Sequence, residues 1–406
     1  MAVSSPTEQT QRTRWSGAWL RAAVAVISLR LVLGLVMGLT WIVARPYLPV
    51  EALAKQGAYG ALPAYTSVAG EALLGVWPRW DAVHYLNLAL RGYFGVSVGD
   101  SAYYPLYPGL TWLLAPIFKN EFVLAGLIVS SLSALVALAC LYHLTESYAD
   151  RQTAHGAVVA LACYPTALFL VAPYTESLFL ALTLAVFVGA RARRWWLAGL
   201  LGFLASLTRG PGMFTAAALL PIALDQARRG VGPRSWRQAL SVVAGLALPV
   251  AGGLAFLGWR AAVGFPPPTV ILERYSGLTL VDPVRGLIAA VVQWRRVLDL
   301  PTTLDVVSAL LFVGLTLVMI ISRRWRRPEW VIFVTGNLLF MLSKQSFVAS
   351  SLQSASRYVL VLFPIFMMLG QWLARQRPRV QIAYVSLSTF ALLLLSALYA
   401  LWFFIG

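Results

Sequence analysis

The stretch "EFVLAGLIVSSLSALVALACLYHLT" (residues 121–145) decides the fold class. Only its Glu121 and His143 can carry a charge, and a run of about 18 or more apolar residues is long enough to cross a bilayer as a helix. Similar runs recur along all 406 residues, of which 59% are hydrophobic and 12% charged. Soluble domains carry about 25% charged residues. The sequence therefore predicts an all-α, polytopic membrane protein with one domain, residues 1–406.

The other apolar runs predict the remaining membrane spans, which brings the total to about eleven. The run that follows Arg12, Arg14 and Arg21 is too long for a cleaved signal peptide, so we expect an uncleaved first span. The segment 103–118 is interrupted by prolines and predicts a re-entrant or interfacial helix that does not cross. The remaining runs lie near 19–44, 153–171, 175–191, 195–209, 211–225, 238–262, 302–322, 329–347, 357–374 and 380–405.

Arginine clusters predict the orientation. The clusters "RARR" (191–194), "RRGVGPRSWR" (228–237), "RRWRR" (323–327) and "RQRPR" (375–379) separate apolar runs and are typical of cytoplasmic loops. The N-terminus joins them on the cytoplasmic side. The loops 45–120, with interfacial helices, and 263–301 then face outward. The arginine-rich, lysine-poor composition favours a bacterial-type plasma membrane, and the clustering argues against nucleic acid as the reason for the net charge of +17.

One polar cluster stands out in the first outer loop, "WPRWDAVHYLNLALRGY" (77–93). On a helix that begins near Asp81, the side chains of His84 and Tyr85 share a face with Asp81. The cluster predicts a carboxylate held at the membrane surface. An interfacial helix anchored by its aromatic residues is the alternative.

Three further polar clusters fall on outward-facing turns. Glu176 opens a helix after "APYT", either as a cap acid behind Thr175 or as a site residue. Arg209 precedes Gly210-Pro211 and, on the outer side, needs an anionic partner. Lys344 and Arg357 flank a Ser-rich turn and can bind phosphate, although all three cations could instead snorkel to the interface.

Two features of the spans complete the residue survey. Arg30 lies about eleven residues inside the first span, where a charge must face protein and pair with a partner that the sequence does not identify. Cys140 and Cys163 lie in apolar runs without disulfide or metal-ligand spacing. We expect no required cofactor, because arginines can offset the charge of a phosphate, although Asp81 and Glu176 could bind a divalent ion.

These segments resemble a known family when taken in order. "WPRWDAVHYLNLALRGY" followed by "YYPLYPGL" resembles the start of the PIG-V-like mannosyltransferases, with Tyr103-Tyr104 in place of Phe-Phe. "YPTALFL…PYTESLF", "LTRGPG" and "SRYVLVLFP" are similar to that family's later motifs, with Tyr164 in place of Asn. The matches run from about residue 77 to 364.

The resemblance implies a GT-C glycosyltransferase, a multi-span helical bundle with an extracytoplasmic active site. It implies a polyprenyl-phosphate sugar, typically mannose, as donor, and a lipid or glycan as acceptor. Asp81 carries over as the catalytic residue. As general base in a direct displacement it would give inversion. The candidate substrate-binding residues, from the resemblance and the polar clusters together, are Trp80, His84, Tyr85, Tyr104, Tyr174, Glu176, Arg209, Lys344, Gln345, Arg357 and Tyr358.

Other function classes fit part of the pattern. A transporter or flippase for a lipid-linked saccharide would usually show paired halves, which the sequence lacks. A non-catalytic membrane scaffold would tolerate loss of single polar residues. A polymerase that uses a lipid-diphosphate donor stays within the enzymes.

Overall fold

Helices make up nearly all of the protein's regular structure. The computed structural model describes residues 6–47, 62, 65–346 and 350–405, so parts of the predicted outer loop 45–120 and of the Ser-rich turn lie outside the described residues. The helices are α1 (Pro6–Ala44), α2 (Asp81–Arg91), α3 (Leu106–Leu114), α4 (Phe122–Tyr148), α5 (Arg151–Ala162), α6 (Glu176–Arg191), α7 (Trp195–Ser206), α8 (Phe214–Arg228), α9 (Trp236–Ala262), α10 (Pro268–Ser276), α11 (Pro283–Val297), α12 (Leu300–Ile321), α13 (Pro328–Leu342), α14 (Ala355–Tyr358), α15 (Phe363–Ala374) and α16 (Pro378–Ala400).

The polytopic helical fold class predicted from the sequence is confirmed. Five described helices are long and apolar enough to cross a membrane, namely α1 from Trp15 onward, α4, α9, α12 and α16. A sixth candidate is the pair Ala355–Val361 and Phe363–Ala374, which is bent by 79°. Each of the other predicted runs also contains a helix, but a shorter one. The number of crossings therefore stays a prediction.

The bundle has two chemically different ends. At one end, which we call the polar end, the first residues of α2 and α6 meet the segment that links α7 to α8 and the short helix α14. At the other, the arginine end, the last residues of α4, α6 and α8 meet the first residues of α13 around a groove rich in arginine. The predicted outer and cytoplasmic segments are thus sorted to opposite ends.

The proline-containing segment 103–118 begins and ends at the polar end. The N–H of Leu106 donates to the carbonyl of Leu207, at the end of α7. The hydroxyl of Tyr107 donates to the carbonyl of Gly126 at 2.8 Å, in the first turns of α4. With only nine residues, α3 spans about 14 Å. It packs beside α4 and is too short to cross a bilayer by itself, so its interfacial or re-entrant position stays a prediction.

A small antiparallel sheet joins the two later polar segments. Strand β1 (Leu278–Leu280) pairs with β2 (Lys344–Ser346), so that Thr279 lies opposite Gln345. This pairing fixes the loop 263–301 against the turn that follows α13. It thereby holds Lys344 in a defined position at the polar end.

Close packing of α5 on α15 sets the spacing of the segments that carry the site. A Cβ added to Gly370 would lie 2.3 Å from the backbone nitrogen of Ala157, and one added to Gly156 would lie 2.5 Å from the carbonyl oxygen of Gly370. Small residues allow such backbone contact between membrane helices. Because α5 leads toward Glu176 and α15 follows Arg357, this contact brings the two side chains together.

The structure identifies partners for Arg30, the charge inside the first span. Its guanidinium donates to the carbonyl of Leu127 at 3.0 Å, to the hydroxyl of Ser131 at 2.6 Å and to the carbonyl of Val171. It also lies 4.5 Å from the ring centroid of Trp77. Carbonyl dipoles and an aromatic face therefore solvate this charge within the protein.

Candidate active site

Asp81 is the first residue of α2, as the sequence predicts. The preceding residue, Trp80, has a φ of 53°, which is uncommon for a bulky side chain and stores strain. Surrounding contacts hold this backbone turn. The indole N–H of Trp80 donates to the carbonyl of Phe403, and the carbonyl of Arg79 accepts from the hydroxyl of Tyr174 at 2.8 Å. The turn therefore directs Asp81 into the polar end.

Two donors bind the Asp81 carboxylate. The Arg357 guanidinium donates from Nη2 to Oδ2 at 2.7 Å, and the Tyr103 hydroxyl donates to Oδ1 at 3.0 Å. About 29% of the Asp81 side chain is exposed. Burial alone would raise the pKa of Asp81, but Arg357, His84 and Tyr103 outweigh it and lower that pKa below the ordinary value. Asp81 is therefore an ionised carboxylate that stays open to an incoming group.

Glu176 binds both arginines of the site. Its side chain is only 1% exposed and accepts from Arg209 Nη1 at 2.7 Å. Arg357 Nε lies 2.9 Å from the same oxygen, as an ion pair whose N–H does not point along a hydrogen-bond direction. Arg357 thus links the two carboxylates, Asp81 and Glu176. The partner expected for Arg209 is Glu176.

Of the two interpretations that the sequence leaves open for this turn, the structure does not support a side-chain cap by Thr175. Thr175 precedes α6, yet its side chain makes no capping hydrogen bond. Its hydroxyl instead lies 3.4 Å from the hydroxyl of Tyr85, on the face of α2 that also carries Asp81. Thr175 therefore connects α6 to α2 across the site.

Three cations surround the ring of Tyr358. Lys344 Nζ lies 4.5 Å from its centroid, and the guanidinium carbons of Arg209 and Arg357 lie 4.4 Å and 5.2 Å from it. Within the described residues, Lys344 has no carboxylate at ion-pair distance. Burial lowers the pKa of Lys344, as do the two arginines, and Tyr358 opposes this shift. The three cations exceed the two site carboxylates by one charge, so the cluster favours an added anion.

His84 forms a second pair beside Asp81. Its Nδ1 lies 2.6 Å from Oδ1 of Asp100, and its ring stacks on Tyr103 with centroids 5.2 Å apart. Burial would lower the pKa of His84, but the hydrogen bond to Asp100 and the charges of Asp81 and Asp100 together outweigh it and raise that pKa. Sequence reasoning missed both Asp100 and Tyr103. The only sign of them in the sequence was the "YYPLYP" motif, which begins with Tyr103 and lies close to Asp100.

Four predicted site residues have clear partners within the protein. The rings of Trp402 and Phe404 pack against Trp80. The hydroxyl of Tyr174 donates to the carbonyl of Arg79. Tyr104 packs on Phe256, and its hydroxyl approaches Gly210, next to Arg209. Gln345 lies in β2. These contacts give the four side chains a supporting position around the site.

A buried carboxylate that the sequence reasoning missed holds the segment that carries Arg357. Asp305, in α12, accepts from the backbone N–H of Ser354 at 3.2 Å and of Ser356 at 2.9 Å. Ser354 has a φ of 69°, so this turn needs outside support. A lone aspartate within an apolar span was the available signal.

The site is a network of ion pairs, and three grooves of the described residues lie elsewhere. Those grooves have volumes of about 780 Å³, 730 Å³ and 650 Å³, and they lie beside Arg151, at the arginine end and along α1, respectively. Side-chain chemistry identifies this site, because buried and half-buried charges of both signs converge here from five separate segments of the chain.

Comparisons with known proteins agree with the predicted resemblance. No protein-family model matches the chain. The chain is 31% identical over 143 residues to GPI mannosyltransferase 2 of Schizosaccharomyces pombe, covering 34% of this chain and 30% of the relative. It is 32% identical over 161 residues to GPI alpha-1,6-mannosyltransferase 2 of Rattus norvegicus, covering 37% and 32%. The similarity thus spans about a third of each curated relative.

A solved structure offers a weaker likeness. The crystal structure of the Archaeoglobus fulgidus oligosaccharyltransferase matches with a TM-score of 0.35 and 15% identity, over 74% of this chain and 44% of that one. A likeness at this level does not bear on the fold or the chemistry. The resemblance to the PIG-V-like mannosyltransferases is confirmed by the curated relatives alone.

Proposed function

We propose that this chain, which resembles the PIG-V-like mannosyltransferases, is a membrane glycosyltransferase of the GT-C type. It moves a hexose, mannose by the resemblance, from a polyprenyl phosphate to an acceptor hydroxyl of a lipid or glycan. The observation that carries the proposal is the network of Asp81, Arg357, Glu176 and Arg209 at one end of the bundle. Together with Lys344 on the Tyr358 ring, it combines a partly open carboxylate with one more cation than carboxylates, and transfer from a lipid phosphate needs both.

The proposed step is a single displacement. The acceptor hydroxyl gives its proton to the Asp81 carboxylate while its oxygen forms a bond to the anomeric carbon. The bond from that carbon to the phosphate oxygen breaks, and polyprenyl phosphate leaves with the electron pair. A carboxylate beside the anomeric carbon also stabilises the oxocarbenium character of the transition state. One displacement on one face gives inversion at the anomeric carbon.

The cations have separate parts in this step. Lys344 and Arg209 lie on the same ring, Tyr358, and bind the donor phosphate through charge and hydrogen bonds. Arg357 fixes the positions of the Asp81 and Glu176 carboxylates relative to each other. When the phosphate arrives, it draws Arg357 toward itself and weakens the ion pair at Asp81. The carboxylate then becomes a stronger base at the moment it is needed.

No resident cofactor enters this step, because guanidinium and ammonium groups offset the phosphate charge. His84, paired with Asp100, and Tyr85 orient sugar hydroxyls on the open side of Asp81. The positive-inside pattern supports placing the polar end on the extracytoplasmic face.

The test is a transfer assay with the purified chain in vesicles. Polyprenyl-phosphate-mannose and a short-chain glycolipid acceptor should give a new glycosidic bond, seen by mass spectrometry, with inverted configuration by NMR. Movement of the donor across the bilayer without a new bond would favour the flippase. Transfer only from a lipid-diphosphate donor would favour the polymerase.

A labelling experiment tests the face. In intact cells an impermeant thiol reagent should label Glu273→Cys, an exposed position at the polar end, and not Arg375→Cys at the arginine end. The reverse pattern would contradict the orientation. Native Cys140 is buried and Cys163 is half-buried, so the background is low.

A further inference from the structure

A groove at the arginine end takes no part in the proposed transfer. It encloses about 730 Å³ between the ends of α4, α6 and α8 and the start of α13. We call it the arginine groove. The site of sugar transfer lies at the opposite end of these helices, so what the groove binds can be tested separately.

Five guanidinium groups from three distant segments of the chain converge on this groove. They belong to Arg191, Arg228, Arg229, Arg326 and Arg327, and all five residues are exposed. Only Arg229 has a carboxylate partner, Asp225 at 2.9 Å, among the residues the structure describes. Loop arginines that served orientation alone would gain by spreading apart, since like charges repel. Their convergence around one concavity favours an anion between them.

An aromatic ring fixes two of these groups. The guanidinium carbons of Arg191 and Arg327 lie 3.8 Å and 4.4 Å from the ring centroid of Tyr148. The Tyr148 hydroxyl donates to the buried Glu329 at 3.2 Å, which holds the ring in place. Stacked guanidiniums keep their N–H edges free, and planar N–H edges bind phosphate oxygens in a bidentate manner.

The wall of the groove distinguishes a lipid from a soluble anion. Leu220, Leu224 and Arg228 are four residues apart and form one stripe on α8, which runs from apolar to cationic. Both leucines are exposed, by 48% and 47%, and Ile332 across the groove by 37%. An apolar wall that leads directly to a cluster of cations matches an acyl chain attached to a charged headgroup.

We propose that the arginine groove binds an anionic phospholipid from the leaflet at that end of the bundle. Its phosphate lies among Arg191, Arg228 and Arg326, and an acyl chain lies along Leu220 and Leu224. Basic pockets between membrane helices are known to recognise anionic headgroups in this way.

Native mass spectrometry of the full chain in detergent tests the site. Retained phosphatidylglycerol should exceed phosphatidylcholine at equal concentration. The variant Arg228→Gln/Arg326→Gln should weaken phosphatidylglycerol binding about tenfold to thirtyfold, since each nearby cation contributes about fivefold. The matched control Arg375→Gln/Arg377→Gln removes the same charge at the same end, outside the groove, and should stay within about twofold.

Two further arms separate a lipid from a soluble anion. Inorganic pyrophosphate at the same concentration should not displace the lipid, and Leu224→Ser should weaken lipid binding without removing any charge. Equal loss in the Arg375 control, equal retention of phosphatidylcholine, or full displacement by pyrophosphate would each overturn the proposal. These results do not depend on transfer activity. The lipid site can therefore be disproved while the proposed transfer stands, and the transfer can be disproved while the lipid site stands.

Discussion

Arginine has opposite environments at the two ends of this molecule. At the polar end, Arg357 is 2% exposed and ion-paired to two carboxylates, and Arg209 is paired to one. At the arginine end, Arg191, Arg228 and Arg326 are exposed and have no carboxylate partner among the described residues. A buried charge must be compensated by a fixed partner, whereas an exposed one is solvated by water. Burial therefore converts an arginine into a precisely placed group, and exposure leaves it available to a ligand from the membrane.

The largest effect is expected at Arg357, where one substitution tests the difference between the two ends. The change Arg357→Gln leaves Asp81 and the buried Glu176 with less compensation, so unfolding should become easier by about 3 kcal/mol. The kcat/KM for sugar transfer should fall by about 10³-fold or more, because the two carboxylates are no longer held in position. Arg357→Lys should not restore transfer, since an ammonium cannot span two carboxylates. Thermal unfolding and kcat/KM measure the two effects.

The matched control for Arg357 lies at the other end. Arg375→Gln removes an exposed arginine and should change the free energy of unfolding by less than about 0.5 kcal/mol. Transfer should stay at the unmodified level. Equal sensitivity at both ends would contradict the distinction drawn between them.

A middle-sized effect is expected at Lys344. It has no carboxylate partner in the described residues, so Lys344→Gln should cost little stability. The donor KM should rise about tenfold, because one contact to the phosphate is lost, and kcat should change less. Lys119→Gln, an exposed lysine at the same end, is the control. A wild-type donor KM for Lys344→Gln would remove this residue from the phosphate site.

The smallest effect concerns the pKa of Asp81. Its pKa is lowered in the folded protein, so the ionised form and the activity persist to lower pH than an ordinary aspartate allows, and are lost as pH falls through that pKa. Tyr103→Phe removes a donor that lowers the pKa. The acid limb of kcat/KM, which reports the free enzyme, should therefore move to higher pH, with its maximum value reduced by less than about tenfold. An unmoved limb, or one moved to lower pH, would show that Asp81 does not control it.

Much of the fold could be predicted because helices in a bilayer must satisfy their own backbone. Each apolar run therefore predicted a helix. The arginine clusters predicted which loops lie at the same end of the bundle. Helix lengths were less predictable. The run near 153–171 contains α5 and a separate turn at Ala167–Leu170, since Pro165 interrupts it.

The site was predictable in its residue types but not in its pairings. The sequence showed five site residues as polar side chains on turns predicted to face outward, namely Asp81, Glu176, Arg209, Lys344 and Arg357. That Arg357 would connect Asp81 to Glu176 depends on helix packing, such as the contact of Gly156 with Gly370, which has no local signal. The pairings of Asp305 and Asp100 were unpredictable for the same reason, because their partners lie 51 and 16 residues away in sequence.

The most direct test of the account is the transfer rate of Asp81→Asn. This change keeps the shape of the side chain and removes its charge. We expect kcat to fall by about 10²–10⁴-fold with donor binding nearly unchanged, while Glu273→Gln, an exposed acid at the same end, keeps the wild-type rate. A wild-type kcat for Asp81→Asn would contradict the claim that this carboxylate accepts the proton of the acceptor hydroxyl.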